Sequence, residues 1–299
     1  MKYWLYLIFA SIAWGLNFHL AKVMLQSTNA LEAGLWRYVF GVGVLLFFLW
    51  GDWPRWSVIR QHIKPLLLIG LAGLFGFNYC LFIGLTKTTA INAALIAGLT
   101  PALTLIASRI ILKISITQAQ IVGILLALFG VMVLILKGKL TSLLRLEFTE
   151  GDAWILLGNS IFALHNVWVR QYSDRMSNRH FTFLTNLICL LGFVLILPWL
   201  DFGSWSSYPG NFWLAAFGMG GIGTALAYFF WNKGIARVGA PQAGIFLNII
   251  PFAAALFALL FGEQIHLYHL FSGLIIITGV IIMQLRDKQR IKALLGIQK

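Results

Sequence analysis

Hydrophobic residues in this chain come in runs of about twenty, separated by short polar stretches, near 3–25, 31–50, 65–85, 89–112, 118–136, 152–171, 180–200, 212–232, 239–262 and 267–285. A bilayer core about 30 Å thick needs roughly 20 apolar residues at 1.5 Å rise each. In lipid such a run must be helical, because a lone strand would leave its backbone amides unpaired. The pattern therefore predicts an all-α integral membrane protein of ten transmembrane helices.

Composition agrees: 60% of the 299 residues are hydrophobic and only 10% are charged. A soluble domain carries about 25% charged residues. This chain has too few to cover a water-soluble globule of its size. Cys80 and Cys189 both lie inside apolar runs without metal-like spacing, so they read as small packing residues. The apolar run from Tyr3 to about Leu25 is longer than the core of a cleaved signal peptide, roughly 7–15 residues, and is kept as a membrane helix.

The net charge of +13 would point a soluble protein toward nucleic acid, but here the basic residues fall between hydrophobic runs. With the N-terminus placed in the cytoplasm, 16 loop and tail Lys and Arg fall inside and four fall outside. The positive-inside rule then predicts both termini to be cytoplasmic, and nucleic acid is not expected as a partner. Trp4, Trp36, Trp50, Trp53, Trp199 and Trp213 lie near predicted span ends, where indole rings favour the headgroup level.

Shifting the chain by 150 residues aligns Gly70 with Gly220, Gly73 with Gly223, Gly84 with Gly234, Pro101 with Pro251 and Gly123 with Gly273, without a gap. This divides the chain into a first five-helix repeat at 1–137, an outer linker at 138–151, a second repeat at 152–286 and a basic cytoplasmic tail at 287–299. Five is odd, so the second repeat enters the membrane in the opposite sense. A 5+5 inverted repeat is a device of secondary transporters, with the substrate site near the midplane between the halves.

Pro101 and Pro251 fall near the middle of the fourth and ninth spans. Each lacks an amide proton and crowds the carbonyl four residues earlier, on Ala97 and Leu247. They are expected to act as paired hinges. Polar residues inside spans are costly and mark candidate functional positions. Trp14, Asn17, Asn78, Tyr79, Asn92, His165, Asn166, Tyr228, Trp231 and Asn248 are the expected substrate-binding set, with Asn159, Asn186 and Asn232 as further intramembrane amides. Amides and aromatic rings suit an organic solute with polar and apolar parts. His165 makes protons a candidate coupling ion. Lys22, Glu32, Arg37 and Glu263 fall toward the outer span ends and are expected to form a gate. No nucleotide-binding loop, zinc motif or paired catalytic groups are found, so neither an enzyme nor a cofactor or metal site is expected.

These residues resemble the EamA-type group of the drug/metabolite transporter superfamily. The resemblance rests on Trp14-Gly15-x-Asn17-Phe18 with Lys22, on Arg37, on Gly223-Thr224-Ala225-Leu226-Ala227-Tyr228 with Trp231, and on Pro251 followed by Gly262-Glu263. It covers nearly the whole chain. It implies a ten-helix basket around a central cavity, in the bacterial inner membrane, that moves amino acids, related metabolites or drugs, often outward. Lys113 stands where the first repeat's equivalent of Glu263 is often acidic, and the first-helix motif is not repeated in the second half. The leading expectation is an alternating-access carrier of amino acids or similar small metabolites, with membrane lipids around it. A multidrug or nucleotide-linked carrier and a lipid-flippase subunit remain open alternatives.

Overall fold

The computed structural model of the chain describes residues 2–135, 149–199, 205–262 and 264–284, and among these every regular element is helical. The outer linker as far as residue 148, the basic tail and Glu263 lie outside the described residues. Helices α1 (Lys2–Leu25), α2 (Ala30–Phe48), α3 (Ile63–Lys87), α4 (Ala90–Leu112), α7 (Asn178–Leu195) and α8 (Gly210–Val238) are long and apolar enough to cross a bilayer. Between them come α5 (Gln118–Ile135) and α6 (Glu150–Tyr172), and after them α9 (240–260) and α10 (Leu267–Gln284). A short helix, Trp56–Gln61, lies between α2 and α3.

Local chemistry sets several helix starts. Asn29 caps α2 by accepting from the amides of Leu31 and Glu32 at 3.1 and 2.9 Å. Thr149 and Asp152 form a reciprocal capping box at the start of α6. Thr89 caps α4 and Ser177 caps α7 in the same way.

Outward faces are apolar. Phe47, Leu214 and Leu260 are 74%, 74% and 77% exposed, on three different helices. Water-soluble monomers rarely show such continuous apolar surface, and lipid is the solvent it fits. The chain is thus a multi-pass membrane protein.

Contacts sort the helix ends into two groups. At one end Asp52, after α2, meets His180 and Arg179 of α7, and Tyr6 of α1 stacks on Phe230 of α8 at 4.6 Å. At the other, Lys87 pairs with Glu150, Thr88 donates to Asp152 at 2.7 Å, and Tyr208 meets Thr28 at 3.1 Å. Asn92 meets His269 there as well, at 3.3 Å. The first end is basic, with Lys233 and Arg237 beside Tyr6 and Tyr3.

Packing partners recur five helices apart. Helix α1 packs on α8 and α9, and α6 packs on α3 and α4; α2 packs on α8, and α7 on α3. Helices α5 and α10 pack on each other. Both α3 and α8 contain a π-helical stretch, Leu68–Phe75 and Gly218–Leu226. These widened turns begin 150 residues apart, and π turns are frequent at functional sites. Inside them Gly70 and Gly220 let backbones touch. A Cβ on Gly70 would lie 2.7 Å from Ile188, and one on Gly220 would lie 2.6 Å from the Arg37 carbonyl.

The spans that carry Pro101 and Pro251 are both interrupted. Helix α4 breaks at Gly98–Leu99, just before Pro101, and α9 passes through a 3₁₀ stretch, Ile245–Asn248, just before Pro251. The Thr100 hydroxyl donates to the Ala97 carbonyl at 2.7 Å, so a side chain serves the acceptor that the proline helix cannot pair.

Candidate functional site

The breaks in α4 and α9 face a small central cavity. Its walls come from α1, α2, α3, α4, α6 and α9. Ala97 and Leu247, the residues before the two prolines' turns, both line it. Most of the lining is apolar, including Phe18, Phe77, Leu81, Phe162 and Ile250, and the polar lining residues are Asn17, Arg37, Thr100 and Asn159.

Arg37 is the one cation of that lining and is 1% exposed. Its Nε donates to Thr224 Oγ1 at 2.7 Å and its Nη1 to Asn78 Oδ1 at 2.7 Å. Its Nη2 reaches the Gly223 carbonyl at 3.5 Å, the outer limit of a hydrogen bond. Asn78 is fixed in turn, donating to Tyr38 Oη and the Leu74 carbonyl, both at 2.8 Å. All these partners are uncharged. Among the described residues no carboxylate pairs with Arg37. A buried charge without a counter-charge is costly and attracts an anion.

The Gly223 carbonyl, in the π turn of α8, also accepts from Trp14 Nε1 at 3.0 Å and Asn17 Nδ2 at 3.4 Å. Trp14 then meets Trp231 and Tyr228 with ring centroids at 4.9 and 5.3 Å, and Phe162 at 5.5 Å. Trp231 Nε1 donates to Asn166 Oδ1 at 3.0 Å. His165 stacks on the far side of Phe162 at 5.4 Å, and it is fully buried behind the cavity wall. One turn before Phe162 on α6, Asn159 accepts from Thr100 at 2.9 Å through Oδ1 and donates from Nδ2 to the Ile155 carbonyl at 2.7 Å.

Of the expected binding set, Trp14 and Asn17 line the cavity, while Asn78, His165, Asn166, Tyr228 and Trp231 stand behind the lining, linked to it by hydrogen bonds and ring contacts. Asn248 sits in the 3₁₀ stretch between the cavity-lining Leu247 and Ile250. Tyr79 does not join them: its ring lies against Phe75 and Trp154, each at 6.1 Å. Asn92 lies beside a second cavity at the less basic end, lined by Lys22, Thr89, His266, Tyr268 and His269.

Of the four gate residues, Glu263 lies outside the described residues, and Lys22, Glu32 and Arg37 stand in different surroundings. Lys22 lines that second cavity. Glu32 accepts from Thr28 at 2.5 Å, from Tyr208 at 2.6 Å and from Trp36 at 3.3 Å. Burial and this hydrogen bond to Glu32 push the Tyr208 phenol above its ordinary value. Arg37 stands in the central cavity instead of at a span end. Sequence reasoning missed Thr100 and Thr224. Thr100 carries a usable signal, a hydroxyl immediately before a mid-span proline, and Thr224 lies in a motif read for its glycine.

Comparison with known proteins adds a family. The EamA-like transporter family model matches twice, over residues 1–136 and 149–285. A Bacillus subtilis (strain 168) protein, the uncharacterized transporter YyaM, is 31% identical over 275 residues, covering 91% of this chain and 90% of its own. A probable biotin transporter of Pseudomonas aeruginosa is 24% identical, over 96% of this chain and 99% of its own. One solved crystal structure shares the fold with a TM-score of 0.70 at 21% identity, covering 95% of this chain and 98% of that one. The relatives are named as transporters, not enzymes, and so the chain belongs to the EamA-like transporter family.

Proposed function

We propose that this protein is a secondary carrier for small carboxylate-bearing metabolites, such as amino acids, working by alternating access. In this reading ten spans form two inverted five-helix repeats in the inner (plasma) membrane, with both termini cytoplasmic and net transport outward. The 150-residue offset of the glycines, prolines and π turns supports the repeat, as do packing pairs that recur five helices on. The concentration of Lys and Arg at one end supports the orientation.

Arg37 carries the substrate class. A guanidinium held by uncharged partners beside an apolar cavity supports a carboxylate as the substrate's charged group. The apolar remainder of the lining suits a hydrocarbon or aromatic side chain. A relative named as a probable biotin transporter fits this chemistry, since biotin is a carboxylic acid on an apolar chain.

The test is a paired panel in detergent and in proteoliposomes: amino acids and biotin, each beside its methyl ester. The acids are expected to raise the melting temperature and to move in a saturable way, and the esters to do neither. Esters acting as well as acids would remove the carboxylate assignment. A response confined to cationic drug-like compounds would favour the multidrug alternative. Flux measured with and without a pH gradient tests protons as the coupling ion.

A further inference from the structure

The central cavity is closed toward the basic end of the molecule by rings. Trp14 lines the cavity, and behind it stand Trp231 and Tyr228 of α8. Beside this floor lies a group of buried amides with atoms that find no partner among the described residues. Asn166 Nδ2, Asn186 Oδ1 and Asn232 Oδ1 are all unpaired, on residues at most 1% exposed.

The three amides lie on three neighbouring helices, α6, α7 and α8. Asn166 of α6 accepts from Trp231 at 3.0 Å, and Asn232 donates to Thr182 Oγ1 of α7 at 3.0 Å. Asn186, one turn further along α7, donates to the Thr182 carbonyl at 2.7 Å. Turning Asn232 over would pair its Oδ1 with the Thr182 hydroxyl and orphan its Nδ2, and turning Asn186 over would set its Oδ1 against the Thr182 carbonyl, so neither flip satisfies both atoms. Asn186 stands in the middle of α7. Asn166 and Asn232 each stand about 9 Å, six residues, from the basic-end termini of α6 and α8. Trp231 stands seven residues from the same α8 terminus, so the amides lie level with the ring floor, between it and the α6 and α7 flanks.

Buried polar atoms in native proteins are nearly always paired, and each exception asks for a reason. Here the reason is not symmetry. The positions 150 residues earlier are Leu16, Trp36 and Phe82, which are apolar. Only the second repeat carries this lining.

We infer that the α6–α8–α7 seam is the basic-end mouth of the cavity, shut here by the Trp14–Trp231–Tyr228 floor, and that Asn166, Asn186 and Asn232 become hydrated when it opens. In the closed state the unpaired amides oppose closure, and the ring contacts offset them. The two mouths are then chemically unlike: an amide-lined one at the basic end, and one near Glu32, Trp36 and Tyr208 at the other. This rests on the carrier reading above but concerns the route, not the cargo.

The experiment uses full-length protein in which Cys80 and Cys189 are replaced by alanine, with single cysteines at Asn186, Asn232 and Phe82. Membrane-impermeant methanethiosulfonate reagents are applied to right-side-out and inverted vesicles. Cysteines at 186 and 232 are expected to react from the basic-end side, at rates that substrate changes several-fold, and cysteine at 82 to stay unreactive from that side. If cysteine 82 reacts from that side while 186 and 232 do not, the mouth lies elsewhere. The labelling pattern is read without any flux, so an absence of carboxylate flux sinks the cargo reading and leaves this test intact. Asn232→Leu gives a second readout for variants that do not fold. The substitution deletes both the orphan oxygen and the bond to Thr182, so the readout is flux, which should slow at least tenfold. Unchanged flux would overturn the inference.

Discussion

Asn17 and Gly223 are packed so closely that a methyl group on residue 223 would lie 2.0 Å from Asn17 Oδ1. The contact places the α8 backbone against α1 and lets Trp14 and Asn17 donate to one carbonyl. Gly223→Ala must push the two helices apart or expel the Asn17 side chain. Overpacking of this kind costs about 1–3 kcal/mol. The expected result is a lower melting temperature together with weakened substrate binding. Asn17→Ala in the same background should restore much of the stability, because it removes the atoms that the new methyl would strike. A Gly223→Ala variant as stable as wild type would mean that α1 and α8 are not held at this distance.

Arg37 offers a sharper test of chemistry. Hydrogen bonds to charged groups contribute about 1.5–3 kcal/mol, or roughly 10- to 150-fold in affinity. Arg37→Gln should weaken acid binding by a factor in that range and leave ester binding unchanged. Arg37→Lys should not rescue it. A single ammonium cannot reproduce the planar fork that reaches Thr224 and Asn78 together. The readout is the dissociation constant for acid and ester in detergent, and full rescue by lysine would reduce Arg37 to a point charge.

Much of the architecture is legible in the sequence, and the reasons are physical. Runs of twenty apolar residues are dictated by bilayer thickness, and the Pro101/Pro251 offset survives because each proline disrupts its helix whatever surrounds it. Side-chain direction is less legible. Tyr79 and Asn78 are neighbours in sequence, yet one holds Arg37 and the other faces Trp154, because a helix turns about 100° per residue and both faces of α3 are apolar. Arg37 looked like a gate residue from its distance to a span end. It reaches the cavity because Gly220 and Gly41 let α2 and α8 approach within backbone contact. Such an approach depends on two segments far apart in the chain, and no local pattern displays it.

The end of the molecule opposite the basic face holds an exposed pair between Lys87 and Glu150. The hydrogen bond from Lys87, with a further one from Trp154, holds the Glu150 carboxyl below the usual carboxylate range. A depressed carboxylate stabilises the folded state above its unfolded value, and this is lost as pH falls through the folded one. Glu150→Gln should therefore lower the melting temperature slightly at neutral pH and leave it unchanged in acid. Both residues are largely exposed, so high salt should erase the difference. Melting curves across the acid range at low and high salt give the answer.

Pro251 brings together local structure and transport. A proline in mid-helix costs about 3 kcal/mol. Pro251 instead falls in the first turn of Ile249–Leu260, directly after the 3₁₀ stretch, where its missing amide costs little. The cost is the break itself, which calls for a gain elsewhere. Its neighbours supply one: Leu247 and Ile250 line the cavity, and His19 of α1 bonds the Ala254 carbonyl at 2.7 Å. The break is thus tied to the cavity on one side and to α1 on the other. Pro251→Ala lets the helix close its missing bond. It should keep or raise the melting temperature, leave the affinity for the acid within about twofold, and slow flux at least tenfold, the order of one kcal/mol or more in a barrier. Pro101→Ala should do the same more weakly, because Thr100 already serves the freed Ala97 carbonyl. Equal loss of affinity and flux would make Pro251 a binding-site residue. Unchanged flux in both variants would make the breaks packing features, and the moving element would have to be sought in the π turns of α3 and α8.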